Sequence, residues 1–385
     1  MTSPDERPWA ILVTRNFPPM LGGMERLNQH LLASLQPVWR TAICGPQGCG
    51  KYVPAGTEVQ ESLLKPLAKF LVTTLHRAMR LAWARKPEWV IAGSGLTAPI
   101  AWLAARCVRR RVAVYLHGLD IVASSHVYQW FWLPFIRHCD LVLVNSTNTG
   151  RLATANGVRP NRIHLLHPGT ELPLLDDRMS DDFRRRFNLG KQPLLLTVGR
   201  LTQRKGLAEF VIEALPSIVS RHPDTLLLII GDDASEALQS RSGSERARIL
   251  AAAHASGVEK NVFFLGRCDE ATLTAAYQAS NVHIFPVLEL PGDVEGFGMV
   301  ALEAAAHGLR TVAFAVGGVP DAVEDGVTGR LITPHNYVDF VAAVINEFEL
   351  VHDATVINEC IQFAASKAWP IFGKRLRQLL GASDV

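Results

Sequence analysis

The sequence predicts an α/β protein with two parallel-sheet domains, and three observations carry that expectation. Short apolar runs rich in strand formers alternate with longer stretches of helical period through both halves of the 385 residues. Glycine-bearing loops follow several of these runs and open helices, the arrangement in which parallel strands present ligands with backbone N–H groups. A polar, proline-containing stretch over 170–193 divides the alternation in two, and a chain of this length favours two domains with a core each.

In chain order, the run at 9–17 reads as a strand and the loop through Gly22 and Gly23 as a turn. Residues 24–35, with Leu27, Leu31, Leu32 and Leu35 on one face, read as a helix. Further strands fall at 41–44, 89–92, 112–116 and 141–144, with helices between them. The uncharged stretch 89–105 contains Gly93, Gly95 and Pro99, which suits strand, loop and helix rather than a bilayer span. After an interdomain connection carrying a short helix at 181–187, strands are expected at 194–198, 225–230, 262–265, 282–285 and 311–315. Helices are expected at 207–221, 245–255, 271–279 and 299–306. Repeated βα alternation implies a Rossmann-like domain in each half, with ligands in a shared cleft beyond the carboxyl ends of the strands.

Apolar residues make up 48% of the chain and charged residues 19%, which excludes a disordered polymer. The polar start at 1–8 reads as no signal segment. None of the six cysteines forms a Cys-x-x-Cys pair, so neither a zinc site nor a disulfide framework is expected, and a reducing cytoplasm is the simplest setting. Net charge is only +3, yet residues 1–175 carry 19 Lys and Arg against 9 Asp and Glu, while the remainder carries 20 against 27. The basic half is expected to meet something anionic, a lipid headgroup layer or a phosphorylated acceptor; an ordinary solvated surface is the alternative. Two stretches suit a membrane interface: 63–85, where Lys65, Lys69, Arg77, Arg80 and Arg85 interleave with apolar residues, and 128–135, with Trp130, Phe131, Trp132 and Phe135. Ordinary helix packing would explain both equally. A nucleic-acid partner is not expected.

The chemistry concentrates in 292–303. Glu295 stands between glycines at the mouth of the helix expected at 299–306, and Glu303 about two turns inside it. Ionised carboxylates accept paired hydrogen bonds from adjacent hydroxyls of a sugar or ribose, while Gly296 and Gly298 allow close backbone approach. Arg200 and Lys205 follow a strand and can converge on a diphosphate, the arginine as a planar fork and the lysine as a point charge. His117, at the end of the strand 112–116, can donate to a sugar hydroxyl or shield developing positive charge, although a lone histidine is more often structural. Gly22 with Gly23, and Gly317 with Gly318, offer phosphate approach or plain tight turns; 324–329 reads as turn chemistry.

Two patterns mislead. Residues 45–51 match the spacing of a phosphate-binding P-loop until Tyr52 replaces the magnesium-binding Ser or Thr, and Pro54 follows where a helix should run. Asp293 and Glu295 resemble an acidic metal-binding triplet, but no further ligand cluster lies nearby in sequence, so no metal is expected.

Taken in order, Gly22-Gly23, His117-Gly118, Gly199-Arg200 with Lys205, the segment from Glu295 to Glu303, and Gly317-Gly318 resemble the retaining glycosyltransferases of family 4 across nearly the whole chain. The resemblance implies the GT-B fold: an acceptor-binding domain at 1–175, a nucleotide-sugar domain at 190–362, and a terminal helix at 363–385 that crosses back to the first domain. It implies that Arg200 and Lys205 hold the donor diphosphate, with the backbone at Gly22 and Gly23 touching phosphate. Glu303 would bind the ribose, Glu295 with the backbone of Gly296, Phe297 and Gly298 would contact the donor sugar, and His117 would sit beside the reacting centre. No cofactor or metal is implied. The string around Glu295 is similar to that of phosphatidylinositol mannosyltransferases, which points to GDP-mannose as donor. Two departures stand out: 230–234 lacks the second glycine usual at that turn, which bears on the base pocket, and His167-Pro168-Gly169 replaces an Asn-Gly pair.

The expectation is a cytoplasmic hexosyltransferase at the inner face of the plasma membrane, moving mannose to a lipid-linked or polysaccharide-precursor acceptor. A UDP-sugar donor, an epimerase or phosphorylase of the same fold, and a nucleotide-sugar-binding regulator without turnover are the rivals.

Overall fold

Strands buried on both faces have no solvent side, so their sequences are continuously apolar rather than alternating. Ala10, Ile11, Leu12 and Val13 are all fully buried, as are Leu194, Leu195 and Leu196. The computed structural model describes residues 6–122, 126–233, 244–350 and 353–382. Residues 1–5 of the polar start and Ala234 of the variant turn lie outside the described residues. The chain forms two compact units, one made of Met1–Gly169 with Trp369–Val385 and the other of Thr170–Ala368.

Unit 1 holds seven strands: β1 Trp9–Val13, β2 Arg40–Pro46, β3 Glu58–Ser62, β4 Trp89–Ala92, β5 Arg111–Leu116, β6 Leu141–Val144 and β7 Ile163–Leu165. They pair in the order β3-β2-β1-β4-β5-β6-β7, every pair parallel. The order reverses between β1 and β4, so loops leaving those two strands diverge to opposite faces and open a crevice at the carboxyl edge. The helix Gly23–Leu35 follows β1 and buries Leu27, Leu31, Leu32 and Leu35, the face its spacing predicts. The segment that returns from unit 2 completes this unit. Its helix Trp369–Leu379 packs on Gly23–Leu35, with Trp369 stacked on His30 at 3.9 Å between ring centres and Arg377 donating to the Ser34 carbonyl.

Unit 2 holds β8 Leu194–Val198, β9 Leu226–Ile230, β10 Val262–Gly266, β11 Val282–Phe285, β12 Thr311–Phe314 and β13 Gly329–Ile332. They pair in the order β10-β9-β8-β11-β12-β13, again all parallel, with the reversal between β8 and β11. Helices cover both faces, and the core gathers Phe210, Ile229, Ile284, Phe285, Phe314 and Phe340. Burying each such side chain stabilises the unit by about 1.5–3 kcal/mol.

Three expectations need correction. The helix expected at 207–221 is two, Leu207–Glu213 and Leu215–Arg221. Pro216 in the first turn of the second lacks the N–H the continuing helix needs, and its ring collides with the carbonyl four residues back. The stretch 170–193 is not a bare connection: it belongs to unit 2, and its helix Asp177–Arg186 packs on the helix Glu270–Ala279. Glu303 is the fifth residue of the helix Met299–Ala306, so it lies in the second turn rather than two turns inside. No helix among the described residues is long and apolar enough to cross a membrane.

Candidate functional site

Unit 2 gathers Arg200, Lys205, Glu295 and Glu303 around the carboxyl edge of its sheet. β8 ends at Val198 and runs through Gly199 and exposed Arg200 into a single tight turn, Gln203–Lys205. The Lys205 ammonium donates to Glu295 Oε2 at 2.8 Å and lies 4.5 Å from the centre of the Phe285 ring. Arg204, which the sequence reading passed over, also holds this carboxylate: its Nη1 pairs with Glu295 Oε2, and its Nε donates to Asp293 Oδ1 at 2.8 Å. Two cations in tandem after a strand, in the same domain as an Asp-x-Glu pair, are the signal that would have found it.

The electrostatics follow from that geometry. Burial pushes the Glu295 carboxyl up, but Arg204 and then Lys205 outweigh it and hold its pKa at about 2. Burial pushes the Lys205 ammonium below its ordinary range, with Glu295 opposing and Arg204 reinforcing the shift. Burial also works against the Arg204 cation, yet Glu295 and Asp293 more than compensate. Two cations and two anions therefore balance. The Arg200 guanidinium, lining a small hollow with Gly199, Leu201 and Lys205, stands outside that balance as the cation without a partner among the described residues. The acidic triplet thus reads as an anchor for Arg204.

Glycines let these loops close on one another. A Cβ on Gly206 would stand 2.0 Å from the Pro286 carbonyl oxygen, and one on Gly318 would stand 2.0 Å from that of Gly296. The Gly318 N–H donates to the Glu295 carbonyl at 2.8 Å. Here Gly317 and Gly318 bring the loop after β12 against the acidic loop, a packing duty. Gly298, in left-handed backbone at φ 97°, caps the helix Met299–Ala306, and buried Phe297 fixes the loop to the core. Farther along, the Tyr277 hydroxyl donates to Glu303 Oε2 at 3.2 Å, while the Tyr277 ring stacks on His307, whose Nδ1 donates to the Glu303 carbonyl.

Unit 1 carries the remaining residues at its own carboxyl edge. Gly22 stands at the N-cap of the helix Gly23–Leu35, beside the carboxylate of Glu25, which accepts from Asn16 Nδ2 at 2.9 Å. Buried His117 follows β5, and its Nε2 lies 2.9 Å from the Gly93 carbonyl oxygen at the end of β4. A carbonyl only accepts, so Nε2 carries a proton and donates it to Gly93. That N–H is committed within the protein, so Nδ1 is the ring nitrogen left for a ligand. The Asp120 carboxylate fixes the turn by accepting from the N–H groups of His117, Gly118 and Gly95. Buried Asn28 ties Thr14 and Asn16 to the same Gly93 carbonyl. Neither Asp120 nor Asn28 has a local motif that marks it.

The P-loop-like stretch is closed from within. Glu61 accepts from the N–H groups of Gly48 and Gly50, each at 2.9 Å, so a carboxylate fills the turn where a phosphate would sit. Those two hydrogen bonds hold its pKa below the ordinary range.

Known proteins resemble this chain. A family model described as Glycosyltransferase Family 4 matches residues 21–172, and one described as Glycosyl transferases group 1 matches residues 179–355. A GDP-mannose-dependent alpha-(1-6)-phosphatidylinositol monomannoside mannosyltransferase from Mycolicibacterium smegmatis is 29% identical over 347 residues, covering 84% of each chain. A GDP-mannose-dependent monoacylated alpha-(1-6)-phosphatidylinositol monomannoside mannosyltransferase from Corynebacterium glutamicum is 26% identical, covering 96% of this chain and 97% of its own. Among solved structures, Anabaena Alr3699/HepE in complex with UDP superposes with a TM-score of 0.77 at 18% identity, over 96% of this chain and 99% of its own.

Proposed function

The chain belongs to the glycosyltransferases that those two models describe, with the GT-B fold, and from that premise we propose that it moves mannose from GDP-mannose to a lipid-linked or polysaccharide-precursor acceptor. The observation that carries the reading is the cationic corner of unit 2 after β8, where Lys205 pairs with Glu295 and Arg200 lines a hollow with Lys205. The names of the mannosyltransferase relatives favour GDP-mannose over a UDP-sugar.

In this reading the bond from the sugar C1 to the diphosphate oxygen breaks and a bond from C1 to the acceptor oxygen forms on the same face, with retention. The acceptor proton passes to the departing diphosphate, whose charge Arg200 and Lys205 stabilise. Arg204 is the positioning residue that keeps Glu295 ionised and in place. Glu303 accepts from the ribose hydroxyls, and Glu295 with the backbone of Gly296, Phe297 and Gly298 orients the sugar. Gly22, Gly23 and His117 are assigned to the same reaction by the family pattern, His117 through Nδ1 beside the reacting centre. With protein cations serving the leaving group, no bound metal or cofactor is required, and turnover persists in chelator.

Acceptor access is assigned to the outer face of the helix Leu67–Arg85. Lys69, Val72, His76, Met79, Arg80 and Trp83 recur there at three- and four-residue spacing, all exposed, with Trp83 at 73%. Trp130 and Phe131 are exposed as well. Apolar residues bracketed by cations suit an anionic bilayer surface.

The decisive experiment supplies GDP-mannose, UDP-glucose and other nucleotide-sugars to the enzyme with a membrane lipid extract, with and without chelator, and follows sugar incorporation. Glu303→Ala is expected mainly to weaken donor binding and Glu295→Ala mainly to impair transfer. Incorporation from a UDP-sugar alone reassigns the donor. Donor binding without any product leaves a nucleotide-sugar-binding regulator.

A further inference from the structure

The edge of the unit 1 sheet opposite to His117 carries a second charged feature that the proposed reaction does not use. Pro8 precedes β1, Lys86 and Glu88 precede β4, and Arg109, Arg110 and Arg111 lead into β5. Together these residues line a hollow of about 490 Å³.

Among the described residues, four cations line this hollow against one carboxylate, and that carboxylate is already engaged. Glu88 pairs with Arg111 through one oxygen and accepts from Trp39 Nε1 at 2.8 Å through the other. Arg111 also lies 4.3 Å over the Trp89 ring, which holds its guanidinium in place. The side chains of Lys86, Arg109 and Arg110 are exposed and have no partner among the described residues. Lys86 and Arg109 both sit in left-handed backbone, at φ 44° and φ 54°, so the two turns that deliver them are sharp. Like charges sharing one concavity repel, and a multiply charged anion relieves that repulsion where a single carboxylate does not. Guanidinium forks match phosphate oxygens in pairs, and the lysine adds a point charge.

We propose that this hollow binds clustered phosphates, two or more linked or adjacent phosphate groups, at the amino-terminal edge of the unit 1 sheet. The ligand chemistry has two sources, a soluble polyphosphate ester or the headgroups of anionic lipids. Because the site is made of exposed side chains, its affinity falls steeply with salt.

The test uses the full chain with Lys86→Asn, Arg109→Asn and Arg110→Ser combined. Asparagine tolerates the left-handed backbone at positions 86 and 109, so the fold is kept. Calorimetric titration with inorganic tripolyphosphate is expected to show a class of sites that weakens by about tenfold or more in this variant. The same class is expected to survive in Arg200→Ala. Sedimentation with phosphatidylglycerol vesicles forms the second arm. Loss confined to tripolyphosphate names a soluble ligand, and loss confined to vesicles names a lipid headgroup. A triple variant with native circular dichroism, wild-type tripolyphosphate stoichiometry and affinity, and wild-type sedimentation overturns the proposal. If the triple variant misfolds, Arg110→Ser alone carries the test, with an expected weakening of about threefold, and unchanged binding there counts against the site.

Discussion

The Glu295 carboxylate, with its side chain 12% exposed, lies between two cations, and replacing each member of the group separates charge from shape. Arg204→Ala leaves the carboxylate with Lys205 alone, and stranding a partner of a buried pair costs on the order of 3–5 kcal/mol. A lower melting temperature is expected, together with transfer reduced about 10²–10³-fold as the sugar-orienting carboxylate loses its hold; wild-type turnover in this variant would remove Arg204 from the mechanism. Glu295→Gln tests the charge itself. The Glu295 pKa is depressed from 4.5 to about 2, so its ionic contribution to stability is full above pH 4.5 and is lost as pH falls toward 2. The melting-temperature gap between wild type and Glu295→Gln should therefore be widest above pH 4.5 and close through that window. Lys205 and Glu295 were legible in the sequence because Lys205 stands in a glycine-flanked loop after an expected strand and Glu295 between glycines at the mouth of an expected helix. Their union through Arg204 was not, since those partners lie about 90 residues apart. The engagement of His117 Nε2 was likewise hidden, because its partner is a carbonyl 24 residues upstream.

Elements show where such long-range facts begin to be predictable. Strands β4, β6, β8 and β11 and the helices Glu245–Ala255 and Met299–Ala306 stand where their apolar period places them. The strands that escaped notice are β3, β7 and β13, all at or next to a sheet edge, where one side faces solvent and the continuous apolar signal fades. Glycines at strand ends were legible as points of close approach, but the approaching group is the protein's own backbone. Gly318→Ala places a methyl 2.0 Å from the Gly296 carbonyl oxygen. It is expected to cost about 1–3 kcal/mol or more and to reduce transfer, as a melting curve and an incorporation assay would show; an unchanged curve would mean the two loops part freely. The helix Trp369–Leu379 offers a pH-dependent contact. Burial, then Arg26, lowers the His30 pKa from 6.5 to about 4. The neutral ring stacked on Trp369 therefore stabilises unit 1 fully above pH 6.5, and that contribution fades as pH falls toward 4. His30→Phe should keep the stack and flatten the melting temperature across that window, at about 2–4 °C for each kcal/mol involved.

At the scale of the whole molecule, the charge imbalance between the halves was legible from counting alone, and the sequence marked the basic stretch 63–85 but not the hollow before β1, β4 and β5. The structure gives it two addresses within unit 1: the outer face of Leu67–Arg85 and the hollow before β1, β4 and β5. Sedimentation with phosphatidylglycerol vesicles should capture the wild-type chain at about 0.1 M salt and release it near 0.5 M, where screening shortens to a few ångströms. Trp83→Ala is expected to weaken capture even at low salt, because it removes the apolar part of the contact; equal capture would assign the binding to charge alone. Two domains and their parallel sheets could be expected from alternation, and the return of Trp369–Val385 to unit 1 only from likeness to a family. That return sets an order of assembly during synthesis. Roughly 200 residues of unit 2 separate Gly169 from Trp369, and ribosomes add about 5–20 residues per second. For about 10–40 seconds, then, the nascent first unit waits with the His30 side of its first helix uncovered. Unit 2 is free to fold in that interval, and unit 1 is sealed afterwards. A message truncated within unit 2 would release a first unit that lacks its seal, which makes this helix face the place where chaperones and proteases would recognise an unfinished chain.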